Sequence, residues 1–158
     1  MNLAKPILDS LLTGVAVPFT RPGSRSGIDK QPRQGRLKVT LLGIEGDEQG
    51  DLRVHGGVEK AIHHYPRDHY PDWLAELGEH ALLKQPGAFG ENFSSVGWRE
   101  ADVCLGDRIR VGTAGRVTAA RALRLGQQGV DAPGKHRGRR SSHGEGNPLA
   151  PAASTLRA

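Results

Sequence analysis

The sequence predicts a mainly β protein, a barrel or sandwich of short strands with small helical insertions and a disordered C-terminal tail. Short runs rich in branched residues alternate with long stretches punctuated by glycine and proline, and a single segment has helical periodicity. All seven aromatic residues lie before residue 99. Because large aromatic side chains anchor most cores, the folded domain is predicted at residues 1–113 and the tail at 114–158.

The individual elements follow from local patterns. Residues 15–19 and 37–42 are predicted strands, and the glycine- and proline-rich segment 21–34 between them is a predicted loop. Apolar residues at helical spacing predict a helix over 71–83, with proline in its first turn. Alternating apolar residues on both sides of a Gly-Asp turn predict a hairpin over 103–111.

The charge of the chain divides at the same boundary. Residues 1–113 carry 14 Lys/Arg and 15 Asp/Glu, whereas residues 114–158 carry 8 and 2. The pI of 9.8 therefore comes from the tail, and a nucleic-acid partner is disfavoured because the globular part is close to neutral. From residue 126 onward glycine, proline, serine and arginine dominate, which predicts disorder.

The single cysteine and the short apolar runs indicate in which cellular compartment the protein is expected. Cys104 is the only cysteine, so an internal disulfide is impossible, and its place in a predicted strand indicates a small buried apolar residue. The N-terminus lacks the pattern of a signal peptide, and no apolar run approaches membrane-spanning length. We expect a cytoplasmic protein that acts on a small molecule, with no membrane partner.

Two polar clusters predict one polar pocket. Residues 46–70, GDEQGDLRVHGGVEKAIHHYPRDHY, concentrate acids, bases, paired glycines and histidines, and residues 89–92, FGEN, form a second cluster. In His55-Gly56-Gly57 the glycines allow backbone N–H groups to approach an anion, or they make a tight turn. The acid and amide of residues 91 and 92 bind a substrate or cap their own turn.

A zinc site is a second interpretation of the same segment. Imidazoles and carboxylates are zinc ligands, although their spacing here matches no known framework. Neighbouring histidines 63 and 64 lie on opposite faces of a strand, so one of them at most faces any given site. The candidate ligands are His55, His63, His64, His69, Asp47 and Asp68. The corresponding function is a zinc-dependent hydrolase that uses His55 and His64.

Five segments, in this order and spacing, resemble the stand-alone bacterial MOSC-domain proteins, a family named for the C-terminal domain of molybdenum-cofactor sulfurases. The subgroup includes the 6-N-hydroxylaminopurine resistance protein. The segments are SGIDK at 26–30, LGIEGDEQGDLRVHGG at 42–57, EKAIHHYPRDHY at 59–70, AFGENFS at 88–94 and EADVCLGDRIRVG at 100–112.

This resemblance implies a MOSC-like β-barrel that binds the molybdenum cofactor, a pterin with a dithiolene and a phosphate. It also implies reduction of N-hydroxylated bases or related compounds with electrons from a donor protein. Molybdenum-ion binding and pyridoxal phosphate binding are also implied. The implied cofactor-binding residues are Lys30, Asp47, Gly56, Gly57, Lys60, Arg67, Glu91 and Asn92. The implied catalytic residues, as proton relays, are His55 and His64.

The chain departs from the family after the predicted hairpin. Family members continue there with a segment of the type SQPRxPCxKL, whose cysteine ligates molybdenum, whereas this chain reads VTAARALRLGQQ at 117–128. Cys104 matches a different family position. Residues 118–128 can be encoded so that a one-base shift reads QPRAPCAWAS, and our hypothesis is a frameshift near Val117. We therefore expect an impaired oxidoreductase, or alternatively a non-catalytic module that binds the cofactor or a sulfur carrier.

Overall fold

A seven-stranded sheet organises the residues that the computed structural model describes, which are 5–112, 116–124 and 152–157. The strands in these residues are β1 (Ile7–Thr13), β2 (Val17–Pro18), β3 (Arg25–Ser26), β4 (Gln31–Pro32), β5 (Val39–Thr40), β6 (Gly43–Ile44), β7 (Ile62–Pro66), β8 (Phe93–Val96), β9 (Arg108–Arg110), β10 (Arg116–Arg124) and β11 (Ala152–Arg157). The large sheet has the order β4-β1-β8-β7-β11-β10-β9, and β2–β3 and β5–β6 form separate two-stranded ribbons.

The centre of the sheet is a parallel pair. β7 and β8 run parallel, with His64 opposite Phe93, and every other neighbouring pair in the large sheet is antiparallel. A parallel pair needs a long crossover, which here contains the helix α1 (Tyr70–Leu77) and a 3₁₀ turn at Ala81–Lys84. Parts of the two polar clusters, residues 46–70 and 89–92, therefore lie on or next to the two central strands.

Apolar side chains pack on both faces of β7. Ile62 and Phe93 form one buried cluster with Ala61, Ile44, Val117 and Ala119. Tyr65 belongs to a second cluster with Tyr70 and Leu83. Because successive side chains of a strand point to opposite faces, Ile62 and His64 share one face, and His63 and Tyr65 share the other.

The helix is shorter than predicted. The helical pattern indicated residues 71–83, but α1 ends at Leu77. Gly78 follows with φ of 77°, and its N–H donates to the Leu74 carbonyl at 2.9 Å, which closes the last turn. A glycine in this conformation is a common helix terminus, so the remaining apolar residues continue in the separate 3₁₀ turn.

Two strands are shorter than predicted, and one long strand was not predicted. The strand predicted at 15–19 is the two-residue β2, and the strand predicted at 37–42 turns back on itself as the ribbon β5–β6. The seven-residue β1 was missed because Asp9 and Ser10 interrupt its apolar residues. The irregular register of β1 against β8 between Leu8 and Ser10 accounts for this break in the alternation.

The predicted hairpin at 103–111 is wrong in its strands. β9 pairs with β10, and residues 104–107 form a turn in which Cys104 N–H donates to Asp107 Oδ2 at 2.8 Å. Cys104 is exposed, so the expectation of a buried apolar residue is also wrong. The alternating apolar residues led to a wrong prediction because the first of them, at 103–105, lie in this turn and in the connection before it.

The described parts of the predicted tail, residues 116–124 and 152–157, are strands. β10 and β11 belong to the large sheet, where β11 lies between β7 and β10, so the disorder predicted for 114–158 does not extend to these residues. Val117 and Ala119 are buried, which explains why β10 joins the sheet. Residues 125–151, including most of the predicted tail, lie outside the described residues. Among the helices in the described ranges, none is long and apolar enough to cross a membrane.

Candidate functional site

A cleft of about 500 Å³ opens beside the β5–β6 ribbon and the loop that follows it. Its lining residues are Thr40, Leu42, Gly43, Ile44, Glu45, Gly46, Asp47, Gln49, Leu52 and Gly57. Gly43 has φ of 129°, and a Cβ at this position would stand 2.6 Å from the Ala61 carbonyl oxygen. Only glycine therefore lets the ribbon lie this close to the start of β7.

Asp47 is the polar centre of the cleft's inner wall. Its side chain is fully buried, and its Oδ1 accepts hydrogen bonds from Gly14 N–H at 2.9 Å and from Lys30 Nζ. Its Oδ2 accepts from Asn92 Nδ2 at 2.9 Å and from Gln49 Nε2 at 3.4 Å. Four donors, one of them a buried ammonium, compensate the desolvation of this carboxylate. We call Lys30, Asp47 and Asn92 the buried triad.

Asn92 connects the buried triad to the sheet. Its Oδ1 accepts the His63 N–H at 3.0 Å, and its Nδ2 also donates to the Leu12 carbonyl at 3.2 Å. Its backbone N–H donates to the His63 carbonyl at 2.7 Å and its carbonyl accepts from Leu12 N–H at 2.8 Å. Asn92 thus fixes β1 and β7 relative to Asp47.

Glu91 is buried in a different set of contacts. Its Oε1 accepts from the Tyr70 hydroxyl at 2.6 Å and from Gly87 N–H at 2.8 Å, and its Oε2 accepts from Phe89 N–H at 3.1 Å. Burial and the neighbouring Glu91 carboxylate raise the pKa of Tyr70. The acid holds the 87–91 loop against α1, so its hydrogen bonds support the turn interpretation rather than a ligand contact.

The two neighbouring histidines have different surroundings. His64 is buried, its Nε2 lies 2.7 Å from Ser95 Oγ, and its ring centre lies 5.8 Å from that of Trp98. Burial, and then the charge of His63, lower the pKa of His64 to about 4. By strand alternation these contacts lie on the face of β7 that carries the Ile62 cluster.

His63 lies on the side of the buried triad. Burial lowers its pKa, its ring hydrogen-bonds the backbone of Gly90, and the charges of Glu91 and Lys30 act on it. Its Nε2 is buried and has no hydrogen-bond partner among the described residues. The resemblance implied His55 and His64 as proton relays, and that assignment stays a prediction. Of the two neighbouring histidines, His63 is the one on which the charge of Lys30 acts.

The His-Gly-Gly segment forms an exposed loop at the edge of the cleft. His55 is exposed, and its N–H donates to the Asp51 carbonyl at 2.8 Å. Gly56 and Gly57 have φ of 89° and 81°, and Gly57 lines the cleft. Arg53 hydrogen-bonds the exposed Asp51 side chain and lowers the pKa of that carboxyl to about 2. The glycines provide the turn that brings this loop to the cleft.

The remaining predicted cations make other contacts. Lys60 Nζ donates to the Val54 carbonyl within the same loop. Arg67 Nη1 donates to Asp9 Oδ2 of β1 at 3.0 Å, and Arg67 is not among the lining residues of the cleft. Lys30 is the one predicted cation that the structure joins directly to Asp47 and, through Asp47, to Asn92.

Sequence reasoning missed several residues of the site. Gln49 and the leucines at 42 and 52 line the cleft, and Gly14 contributes a backbone donor to Asp47. Gln49 stands inside the GDEQG motif, which was a usable signal. The leucines carried no signal because exposed apolar residues are common on protein surfaces. In the described part of the chain, no group of three or more His, Cys, Asp or Glu residues could hold a metal ion.

Comparison with known proteins defines the class. Residues 51–123 match the family model for the MOSC domain. The matched segment is a MOSC domain by this comparison, and the chain is similar to stand-alone bacterial proteins of that family. The predicted resemblance to MOSC-domain proteins and the mainly β, MOSC-like fold are confirmed.

Three relatives show how similar the chain is to individual known proteins. Over 92 residues the chain is 48% identical to protein YiiM of Escherichia coli, and this aligned region covers 58% of this chain and 41% of YiiM. Over 87 residues it is 40% identical to a reductase of Gibberella moniliformis, and this aligned region covers 55% of this chain and 15% of that protein. The crystal structure of YiiM from Geobacillus stearothermophilus superposes with a TM-score of 0.57 at 30% identity, covering 76% of this chain and 52% of that one. The chain thus spans less than half the length of these curated relatives.

Proposed function

We propose that this chain binds the pterin of the molybdenum cofactor in the cleft beside Asp47, and that its reductase activity is impaired because it lacks the metal-ligating thiolate. The observation that carries the proposal is the cleft itself, which the most specific motif of the sequence lines and the buried triad supports. The match to the MOSC family and the similarity to a protein described as a reductase support the class of chemistry.

The pterin ring of the cofactor fits the residues present. Ligand pockets are typically about 300–1,000 Å³, mostly apolar, with a few well-placed polar groups. This cleft, of about 500 Å³, combines leucine side chains with the hydroxyl of Thr40, the amide of Gln49 and the backbone of several glycines. Because the buried triad fixes Asp47 and, through it, Gln49, the polar groups are held in position before a ligand arrives.

The metal does not fit the residues present. Molybdenum held by a thiolate needs a cysteine beside the pterin, because thiolate is the soft ligand that this chemistry uses. Cys104 is exposed in the 104–107 turn and is not among the lining residues. What the chain's own residues provide is binding and orientation of the ring, which a non-catalytic cofactor-binding module also requires.

Pyridoxal phosphate receives less support than the pterin. Its usual attachment is a Schiff base with a lysine. The lining residues of the cleft include no lysine, and the nearby Lys30 is buried against Asp47. The electron-donor protein and the N-hydroxylated substrate remain proposals that depend on an active metal centre.

The test compares three proteins purified from cells that make the cofactor: two versions and a control. One is the present chain, and the other has residues 118–127 replaced by QPRAPCAWAS, with a variant in which serine replaces the new cysteine as its control. We expect pterin with all three proteins, but stoichiometric molybdenum and reduction of an N-hydroxylated base only with the cysteine version.

Two results would contradict the proposal. Equal molybdenum content and equal reductase activity in the present chain and the cysteine version would mean that the thiolate is not required. Absence of pterin from every version, with each of them folded by circular dichroism, would mean that the cleft does not bind this group.

A further inference from the structure

The cleft has the wrong charge for a phosphate. Its lining contains two acids, Glu45 and Asp47, and neither lysine nor arginine. The cation nearest in the hydrogen-bond network, Lys30, already donates to Asp47, and the Lys60 ammonium donates to the Val54 carbonyl. Carboxylates repel a phosphate at close range, and phosphate sites are normally built from arginine, lysine or backbone donors. The residue types of the lining therefore fit a ligand that donates hydrogen bonds.

Glu45 is the carboxylate that remains accessible in this lining. Asp47 accepts hydrogen bonds at both oxygens from protein donors and is fully buried. The side chain of Glu45 is 65% exposed, and its contact with Lys38 Nζ is a 3.5 Å surface pair. Such exposed pairs are weak and are readily exchanged for another partner. A carboxylate accepts two parallel N–H groups, which is the arrangement that a ring N–H beside an amino group offers.

Two exposed leucines give the cleft apolar walls. Leu42 is 66% exposed and Leu52 is 75% exposed, and both line the cleft. Leu52 is held beside Gly56, since its Cδ2 lies 3.3 Å from the position that a Cβ would take there. Covering these side chains with the face of a flat ring would remove apolar surface from water, which favours binding.

We infer that the cleft recognises the amino-bearing edge and the flat faces of an uncharged fused-ring nitrogen heterocycle, and that it makes no favourable contact with a phosphate. Glu45 receives the amino edge, and Leu42 and Leu52 cover the ring. This inference rests on the proposed function for the identity of the ring as a pterin. It goes further by assigning the recognition to residues outside the set that the sequence predicted.

Three fluorescent ligands test the inference directly in titrations with the full chain. Neopterin carries the amino group and no phosphate, neopterin phosphate adds the anion, and the matching lumazine replaces the amino group by an oxo group. We expect the phosphate to change the dissociation constant by no more than about twofold and the lumazine to bind about tenfold more weakly, because it loses a hydrogen bond to a charged acceptor.

Matched variants locate the effect. Glu45→Gln should weaken neopterin binding about tenfold and leave lumazine binding nearly unchanged, and Leu52→Ala should weaken both ligands about fivefold. Glu79→Gln and Leu105→Ala are the controls, because both residues are exposed and neither lines the cleft. The controls should bind neopterin like the unchanged chain.

The outcomes separate this inference from the proposed function. Tight binding of neopterin phosphate with much weaker binding of neopterin would overturn the inference and leave pterin binding intact. Equal effects of Glu45→Gln and Glu79→Gln would also overturn it. If the unchanged chain binds none of the three ligands, both the inference and the proposed function are wrong.

Discussion

At the scale of single residues, the site is built from groups that satisfy one another. The sequence suggested Lys30, Asp47 and Asn92 as ligand contacts, but their side chains hydrogen-bond each other and the backbone of β1 and β7. A buried carboxylate and ammonium persist only with such partners, because each loses its hydration on folding. The buried triad therefore supports the wall of the cleft, and exposed neighbours such as Glu45 are left to meet the ligand.

Removing the cation of the buried triad should be costly. In Lys30→Met the carboxylate of Asp47 stays buried without its countercharge, so we expect a loss of about 3–5 kcal/mol in the free energy of unfolding. The double variant with Asp47→Asn should recover part of that loss, since it removes the uncompensated charge. Lys38→Met removes an exposed pair and should cost less than about 1 kcal/mol. Urea unfolding measures all three, and equal costs for Lys30→Met and Lys38→Met would contradict the buried pair.

The sequence could predict which residues are neighbours but not what they contact. The motifs brought Asp47 and Asn92 into one predicted pocket, the resemblance added Lys30, and the structure joins all three. Glu91 was placed with them, yet its carboxylate faces Tyr70 and the 87–91 loop. A side chain in a polar motif has several possible donors within reach, and only the packed fold decides among them. No local pattern contains that information.

At the scale of elements, close backbone contacts position the loop that carries Asp47. A Cβ on Gly27 would stand 2.3 Å from the Glu48 carbonyl oxygen, and one on Gly50 would stand 2.2 Å from the Arg25 carbonyl oxygen. Strand β3 and the glycine that follows it therefore lie directly on residues 48–50 at two points. Glu48 adds to this packing, since its Oε2 accepts the Ala16 N–H at 2.9 Å. Gly50, the second glycine of the motif GDEQG, thus has a packing role beside the cleft.

A methyl group at Gly50 should separate the ribbon from this loop. We expect Gly50→Ala to cost about 1–3 kcal/mol through overpacking and to weaken neopterin binding, because the loop also carries Gln49 and Asp47. Gly23→Ala is the control. Gly23 has φ of 79° with nothing within 4 Å of an added Cβ, so its cost of about 1–2 kcal/mol comes from backbone strain alone and its binding should be unchanged. Unaltered binding and melting temperature in Gly50→Ala would contradict the close contact.

Element boundaries were predicted where local chemistry determines them and missed where pairing does. Pro71 correctly marked the first turn of α1, whereas Gly78 ended the helix earlier than its apolar periodicity indicated. β1 escaped prediction because it contains Asp9, which is exposed and pairs with Arg67. A strand of this kind is stabilised by its neighbours β4 and β8, and those are distant in sequence.

At the scale of the whole molecule, the sheet joins segments from both ends of the chain. β7 pairs with β8 on one side and with β11, about ninety residues further along the chain, on the other. The mainly β class was predictable from short strands and punctuated loops, and the resemblance identified the family. The strand order was not predictable, because nothing within β7 or β11 specifies such a remote partner. The cleft follows from this order, since Asn92 and His63 meet only where β7 and the segment before β8 are adjacent.

The measurement that tests the central claim most directly is a nuclear magnetic resonance titration of the nitrogen-labelled chain with neopterin. If the cleft beside Asp47 is the pterin site, the amide signals of residues 40–49 and of Leu52 and Gly57 should shift together with one dissociation constant, while those of α1 stay in place. Saturable shifts confined to α1 or to the 87–91 loop, with residues 40–57 unmoved, would contradict the account.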